Sequence, residues 1–287
     1  MGEAPRLKAM KLGEILDVSF RLYRENFAAF LGILAAAYVP FAILEMALMG
    51  LLLPNVSTRT MDPKAAQDAM LALTLVTGAS AFAFGLIAHP LATGALTFAV
   101  GARYLNQPVS LGRAYGAIFR VFFRYLLTIL LSGLVIGIGM IFCLIPGLFF
   151  WVWFQFVSQI VVLEGLGGTR AMGRSRDLGR GFGWRILGYA LLTALLSIAI
   201  AWVLSLGVSL GAPLITESFV TQQLLIQAVQ QVINILIMPY FTMVLILLYY
   251  DLRVRKEAFD LEVLSKGLSA PGKFFAEASP PPAAPPA

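Results

Sequence analysis

Apolar stretches of about 18 residues or more recur along this chain of 287 residues, and that length limits the fold more than any other feature. At ~1.5 Å of rise per residue, about 20 helical residues cross the ~30 Å hydrocarbon core of a bilayer. A helix that long in water would need a polar face on its solvent side. Composition points the same way: 59% of residues are hydrophobic and only 13% charged, with mean hydropathy +0.84. A soluble domain carries about a quarter charged residues, so this chain has too few to cover a surface facing water.

The expected fold is therefore an all-α polytopic transmembrane helical bundle of about six spans, at residues 27–53, 66–102, 125–142, 148–164, 186–211 and 224–250. Pro54-Asn55 closes the first span, and Asp62-Pro63 is a helix start in the loop that follows. The second stretch exceeds one crossing and should tilt, protrude or kink near Pro90. Spans three and four flank a tight turn at Cys143-Leu144-Ile145-Pro146-Gly147, and a loop around Pro213 to Thr221 joins spans five and six.

Basic amphipathic segments precede the hairpins at 12–24, 103–124 and 165–185. Leu12, Ile15, Leu16, Phe20 and Tyr23 recur at spacings of three to four, which predicts a helix lying in the membrane interface. A faint threefold repeat of basic helix plus hairpin accompanies them. Leu12, Gly13, Phe20 and Arg21 align with Leu111, Gly112, Phe119 and Arg120, while Ser19, Leu22 and Arg24 align with Ser175, Leu178 and Arg180. The organisation that follows is a basic N-terminal segment with its interfacial helix (1–26), a six-helix membrane domain (27–250), an amphipathic segment (251–264) and a disordered Pro/Ala-rich tail (265–287).

Of 21 Lys and Arg residues, all but Arg59 and Lys64 fall on one side of this topology. The positive-inside rule makes that side cytoplasmic and places both termini there. The net charge of +6 thus reads as an orientation signal; no basic run interleaved with stacking aromatics points to nucleic acid. The single cysteine, Cys143, excludes an intrachain disulfide and a cysteine-based metal site. Residues 1–26 lack the apolar core of a signal peptide, so the first span is the expected targeting element.

Catalytic sets are missing from the pattern. Hydrolytic and metal chemistry needs clustered His, Asp or Glu, and this chain has one histidine, His89, and no nucleophile elbow, zinc-binding helix or P-loop. No enzyme, metal or cofactor is expected. His89, beside Pro90, reads as a kink residue hydrogen-bonded inside the bundle, with proton handling as the alternative. Glu45 is the one acid well inside a span; an Asp at mid-helix costs ~2.5–3.5 kcal/mol on insertion scales. At 18 residues beyond Phe27, however, Glu45 falls near the outer boundary, where the cost drops, and it reads either as functional or as a snorkelling or packing residue. His89 is its conceivable partner.

Gln223, Gln227, Gln230 and Asn234 share one face of span six, and Gln155 and Gln159 of span four could meet them. Amides facing lipid would stay unpaired, so this face either hydrogen-bonds other helices or lines a polar groove. Gly133 and Gly137, like Gly207 and Gly211, have the small-x-x-x-small spacing of close helix packing. Trp151, Trp153 and Trp184 fit an interfacial belt. Arg21, Arg24, Arg120, Arg124, Arg174 and Arg180 are the expected contacts for lipid headgroups.

Three ordered stretches carry a family resemblance. They are Leu12-Gly13-Glu14-Ile15-Leu16-Asp17 through Phe20-Arg21-Leu22-Tyr23-Arg24 with Asn26-Phe27; Val162-Leu163-Glu164-Gly165 leading to Arg174-Ser175 and Leu178; and Tyr249-Tyr250-Asp251-Leu252-Arg253-Val254-Arg255-Lys256-Glu257 with Phe259-Asp260-Leu261. Together the chain resembles the bacterial glycerophosphoryl diester phosphodiesterase membrane domain family and its six-helix relatives. The catalytic barrel fused to that region in some members needs about 250 residues, which 265–287 do not encode. The resemblance implies a membrane module with no inherited active site.

The leading expectation is a non-enzymatic protein of the bacterial inner membrane, a scaffold or lipid-associated module. Its partners would be anionic headgroups and other membrane proteins, with no nucleic acid. The alternative is a small transporter or channel using the amide face of span six; a membrane-embedded lipid enzyme ranks third.

Overall fold

Inside hydrocarbon every backbone N–H and C=O must find a partner within its own segment, and the helix does this residue by residue. The computed structural model describes residues 9–52, 62–105 and 107–257, and these are all-α. In chain order the helices are α1 (Leu12–Glu25), α2 (Phe27–Leu52), α3 (Pro63–Ala83), α4 (His89–Tyr104), α5 (Leu111–Phe142), α6 (Leu144–Trp153), α7 (Val157–Gln159), α8 (Gly168–Gly179), α9 (Gly183–Ile215) and α10 (Phe219–Glu257). Among the described residues, six helical stretches are long and apolar enough to cross a membrane.

α10 is the hub. It packs against α1, α2, α4, α8 and α9, and a nearly unbroken buried run extends along it from Thr242 to Leu252. A helix enclosed all round reads as continuously apolar, and Met243-Val244-Leu245-Ile246-Leu247-Leu248 does. α9 is the opposite case: it touches α10 and α6 but leaves Leu195, Trp202, Val203, Leu210 and Leu214 exposed, a surface suited to acyl chains.

α3 and α4 form one long helix joined by a π-helical turn, Phe84–Ala88. The widened turn lies where Pro90 removes the N–H that an α-helix would direct at Leu86. Span four is interrupted more deeply. α6 ends at Trp153, and after the break a short α7 and a π-helical turn (Ile160–Glu164) complete the crossing. Ser175 of α8 mends the break: its Oγ donates to the Trp153 carbonyl at 2.6 Å and accepts from the Phe156 N–H at 3.2 Å. Gly165, with φ of 71°, then turns the chain out in a left-handed conformation that favours glycine.

The hairpin of α5 and α6 is closed by glycine. A Cβ on Gly147 would lie 2.6 Å from the backbone N of Met140, and one on Gly139 would lie 3.1 Å from the Gly147 Cα. The pairs Gly133/Gly137 and Gly207/Gly211 do not do this work: nothing lies within 4 Å of where their Cβ atoms would be. Spacing alone could not tell a glycine that meets a neighbour from one that faces outward.

Several expected boundaries shift. The basic segment 103–124 is no separate interfacial helix; from Leu111 it is the first half of α5, because no breaker separates it from span three. Pro213 lies within α9, and α10 continues past 250 to Glu257, so the start of the expected 251–264 segment belongs to span six. Residues 258–264, the tail 265–287 and the stop at Pro54-Asn55 lie outside the described residues.

α1 forms where expected but does not lie flat across the end of the bundle. Met10 touches Asp251, Phe20 packs edge-on against Tyr240 at 6.4 Å, and the Tyr23 hydroxyl donates to the Leu236 carbonyl at 2.7 Å. These contacts follow α10 for about 22 Å of its length. The buried face of α1 therefore meets a span, and its outer face holds Arg21 and Arg24.

Candidate functional site

Basic segments far apart in sequence arrive at one end of the bundle. The Met10 N–H donates to Asp251 Oδ1 at 2.6 Å, and Arg255 donates to the same carboxylate at 3.0 Å. Arg185, at the start of α9, pairs with Asp251 at 3.0 Å, and both arginines also donate to the Met10 carbonyl, at 2.5 and 2.9 Å. Asp251 is fully buried. A buried carboxylate survives only with charge and hydrogen-bond partners, and here the beginning of the described chain and the ends of two spans supply them.

A second cluster lies beside it. Arg174 of α8 bridges Glu164 at 2.9 Å and Glu257, which Arg253 also contacts at 3.1 Å. Tyr249, buried in α10, donates its hydroxyl to Glu164 at 2.7 Å. The Glu257 hydrogen bond, with help from Glu164, holds the Arg174 guanidinium above its ordinary pKa, so it stays charged. The middle of α5 joins this end through the Gly168 N–H, which donates to Thr128 Oγ1 at 2.8 Å.

The arginines thus divide into two sets. Arg174, Arg185, Arg253 and Arg255 are committed to Glu164, Asp251 and Glu257. Arg174, one of the expected headgroup contacts, is thus ion-paired with carboxylates distant in sequence. Arg21, Arg24, Arg103, Arg113, Arg120, Arg124, Arg170 and Arg180 are exposed and enter no ion pair among the described residues. Arg21 and Arg24, with Asp17, Phe20 and Glu25, line an open groove of about 430 Å³. Arg176 stacks over the Trp153 ring at 4.7 Å.

The far end is built from amides. Gln227 Nε2 donates to Glu45 Oε1 at 2.8 Å, and Gln231 follows one turn further along the same face of α10. Gln230 turns the other way, to Ser205 of α9. Gln223 is half-buried and Asn234 exposed. The expected single amide face is therefore divided between two neighbouring helices. Gln155 and Gln159 do not meet it. The adjacent Phe156 contacts Tyr249, ring centroids 6.2 Å apart, about 22 Å or more along α10 from Asn234. Gln159 is buried, with Oε1 lacking a protein partner.

His89 pairs with Tyr38 at 3.0 Å, so it is not the partner of Glu45. Tyr38 lies seven residues before Glu45, about 10 Å along α2. The interhelical reading of His89 matches this contact. A separate polar node that sequence spacing does not announce joins Tyr125 to Ser158 at 2.7 Å and to Thr93 at 3.3 Å. Asp251, Glu164 and Ser175 were missed as well. For Asp251 one signal existed: an acid at the end of an apolar run with Arg255 four residues on, a helical ion-pair spacing.

Fold and charge distribution define a multi-pass α-helical membrane protein. The chain belongs to the family described as Domain of unknown function (DUF7847), whose family model matches residues 10–252. The matched segment begins at Met10 and ends one residue past Asp251, the two partners of the clamp. No curated protein and no solved structure matches the chain.

Proposed function

We propose that this protein is a non-enzymatic membrane module of the bacterial inner membrane whose arginine-rich end faces the cytoplasm and holds anionic phospholipid headgroups, serving as a scaffold for other membrane proteins. The observation that carries this reading is the division of the arginines. The committed set satisfies the buried acids, and exposed arginines that include Arg103, Arg170 and Arg180 remain available around the same end. Each cation near an anionic leaflet contributes ~1 kcal/mol of attraction, so several together hold a ring of headgroups.

Kinship with the glycerophosphoryl diester phosphodiesterase membrane domain family is part of the same proposal. Its support is that the second and third stretches carrying the resemblance meet through Glu164–Arg174–Glu257, while Met10, just ahead of the first, meets Asp251 of the third. They look like the shared architecture of a module and not like a set of reacting groups.

The test is lipid retention. Wild-type protein extracted into detergent and washed should retain phosphatidylglycerol over phosphatidylcholine, measured by mass spectrometry of bound lipid. Replacing Arg113, Arg120 and Arg180 together by Gln should remove most of that preference. Equal retention of the two lipids by the wild type would end the proposal.

The transporter reading has one observation in its favour, the buried acid Glu45 among amides. Against it, Gln227 and Gln230 bond to different helices, and Gln155 and Gln159 lie at another depth.

A further inference from the structure

Glu45 is 6% exposed, yet the ion pairs among the described residues use Glu164, Asp251 and Glu257 as their acids and never Glu45. The one histidine is engaged by Tyr38. What meets the Glu45 carboxylate is amide: Gln227 at 2.8 Å, with Gln231 one turn further along the same face, its own Oε1 buried without a donor. Hydrogen bonds from amides ease the burial of a carboxylate but leave its charge uncancelled.

The orphaned oxygen supplies the second half of the argument. A glutamine side chain presents oxygen or nitrogen to the same point after a half-turn of its amide. Rotated in this way, Gln227 would turn its carbonyl oxygen toward the carboxylate in place of its N–H, and with the unpaired Oε1 of Gln231 on the same face it would form a cluster of hard oxygen ligands. Such ligands suit alkali and alkaline-earth cations and not thiophilic metals. Calcium sites take six to eight oxygens, commonly from several carboxylates, whereas one carboxylate balances one monovalent ion. Gln227 lies about 36 Å along α10 from Asp251, more than the ~30 Å thickness of hydrocarbon, so an ion there can exchange with water at the far surface.

We propose that Glu45, Gln227 and Gln231 bind one alkali-metal cation from the side of the membrane opposite the arginine-rich end. The ion neutralises the carboxylate and ties α2 to α10 where the two helices meet. This inference does not depend on the lipid-anchoring function.

The experiment uses the purified full chain in detergent, with thermal unfolding followed in sodium chloride, potassium chloride or choline chloride at equal ionic strength. The expected result is a saturable rise in Tm with sodium or potassium and none with choline, together with broadening of the sodium-23 resonance. Glu45→Gln should fold, lose the cation dependence and lose the broadening. Gln231→Leu, which keeps the charge, should weaken apparent cation affinity about tenfold, and it serves as the readout if Glu45→Gln fails to fold. A wild-type Tm that is the same in all three salts, or sodium broadening that survives Glu45→Gln, would overturn the proposal.

Discussion

The carboxylate of Asp251 accepts the backbone N–H of Met10 at 2.6 Å, across 241 positions of sequence. Two arginines on different helices complete the contact, so the segment leading into α1 is held by groups from α9 and α10. The clamp closes the bundle as a latch between its first and last described helices.

Removing the acid should open that latch. Asp251→Ala leaves Arg185 and Arg255 facing each other and the Met10 N–H without its acceptor. Breaking one partner of a buried pair costs 3–5 kcal/mol, and because both arginines are partly exposed the loss should be about 3 kcal/mol. Thermal unfolding in detergent measures it, with Asp17→Asn on the exposed face of α1 as a near-neutral control. A destabilisation no larger than that of the control would remove the clamp from the account.

Ser175→Ala should weaken span four locally. Its hydroxyl satisfies both the Trp153 carbonyl and the Phe156 N–H at the helix break, and leaving such groups unpaired costs about 1–3 kcal/mol. Hydrogen exchange over residues 154–160 should accelerate in the variant. Unchanged exchange there would mean the break is stable without α8.

Glycines of similar spacing should behave differently. Gly147→Ala forces its Cβ onto the backbone of α5 and should destabilise by about 1–3 kcal/mol. Gly133→Ala and Gly207→Ala enter open space and should be neutral or slightly stabilising, since alanine is the better helix former. Equal effects at all three positions would contradict the packing described for the hairpin.

Topology is open to a direct test. In a Cys143→Ser background, Glu217→Cys and Arg180→Cys lie at opposite ends of α9 and should react with a membrane-impermeant maleimide from opposite faces of sealed vesicles. The cytoplasmic assignment further requires that Glu217→Cys be labelled in intact cells. Labelling of both positions from one face would refute a membrane-crossing α9.

The existence and rough extent of the spans were legible because hydrocarbon thickness sets a length, and a chain must meet it with contiguous apolar residues. Asp62-Pro63 announced a helix start for the same local reason, and Ala66 N–H does donate to the Asp62 carbonyl. The break after Trp153 was hidden, since the Ser175 that stabilises it belongs to another helix. The amide face of α10 was read as one surface because a helical wheel shows direction but not neighbours; Gln227 found α2, and Gln230 found α9.

By itself, then, the sequence determined the solvent, the number of apolar stretches and the gathering of arginine at alternate loops, all of which depend on composition over about 20 residues at a time. Which arginines are spent on Asp251, Glu164 and Glu257, whether a glycine meets a neighbour, and why Glu45 is buried among amides were decided only by tertiary structure. Those outcomes depend on distances of a few ångströms between residues tens to hundreds of positions apart. No local pattern encodes such distances.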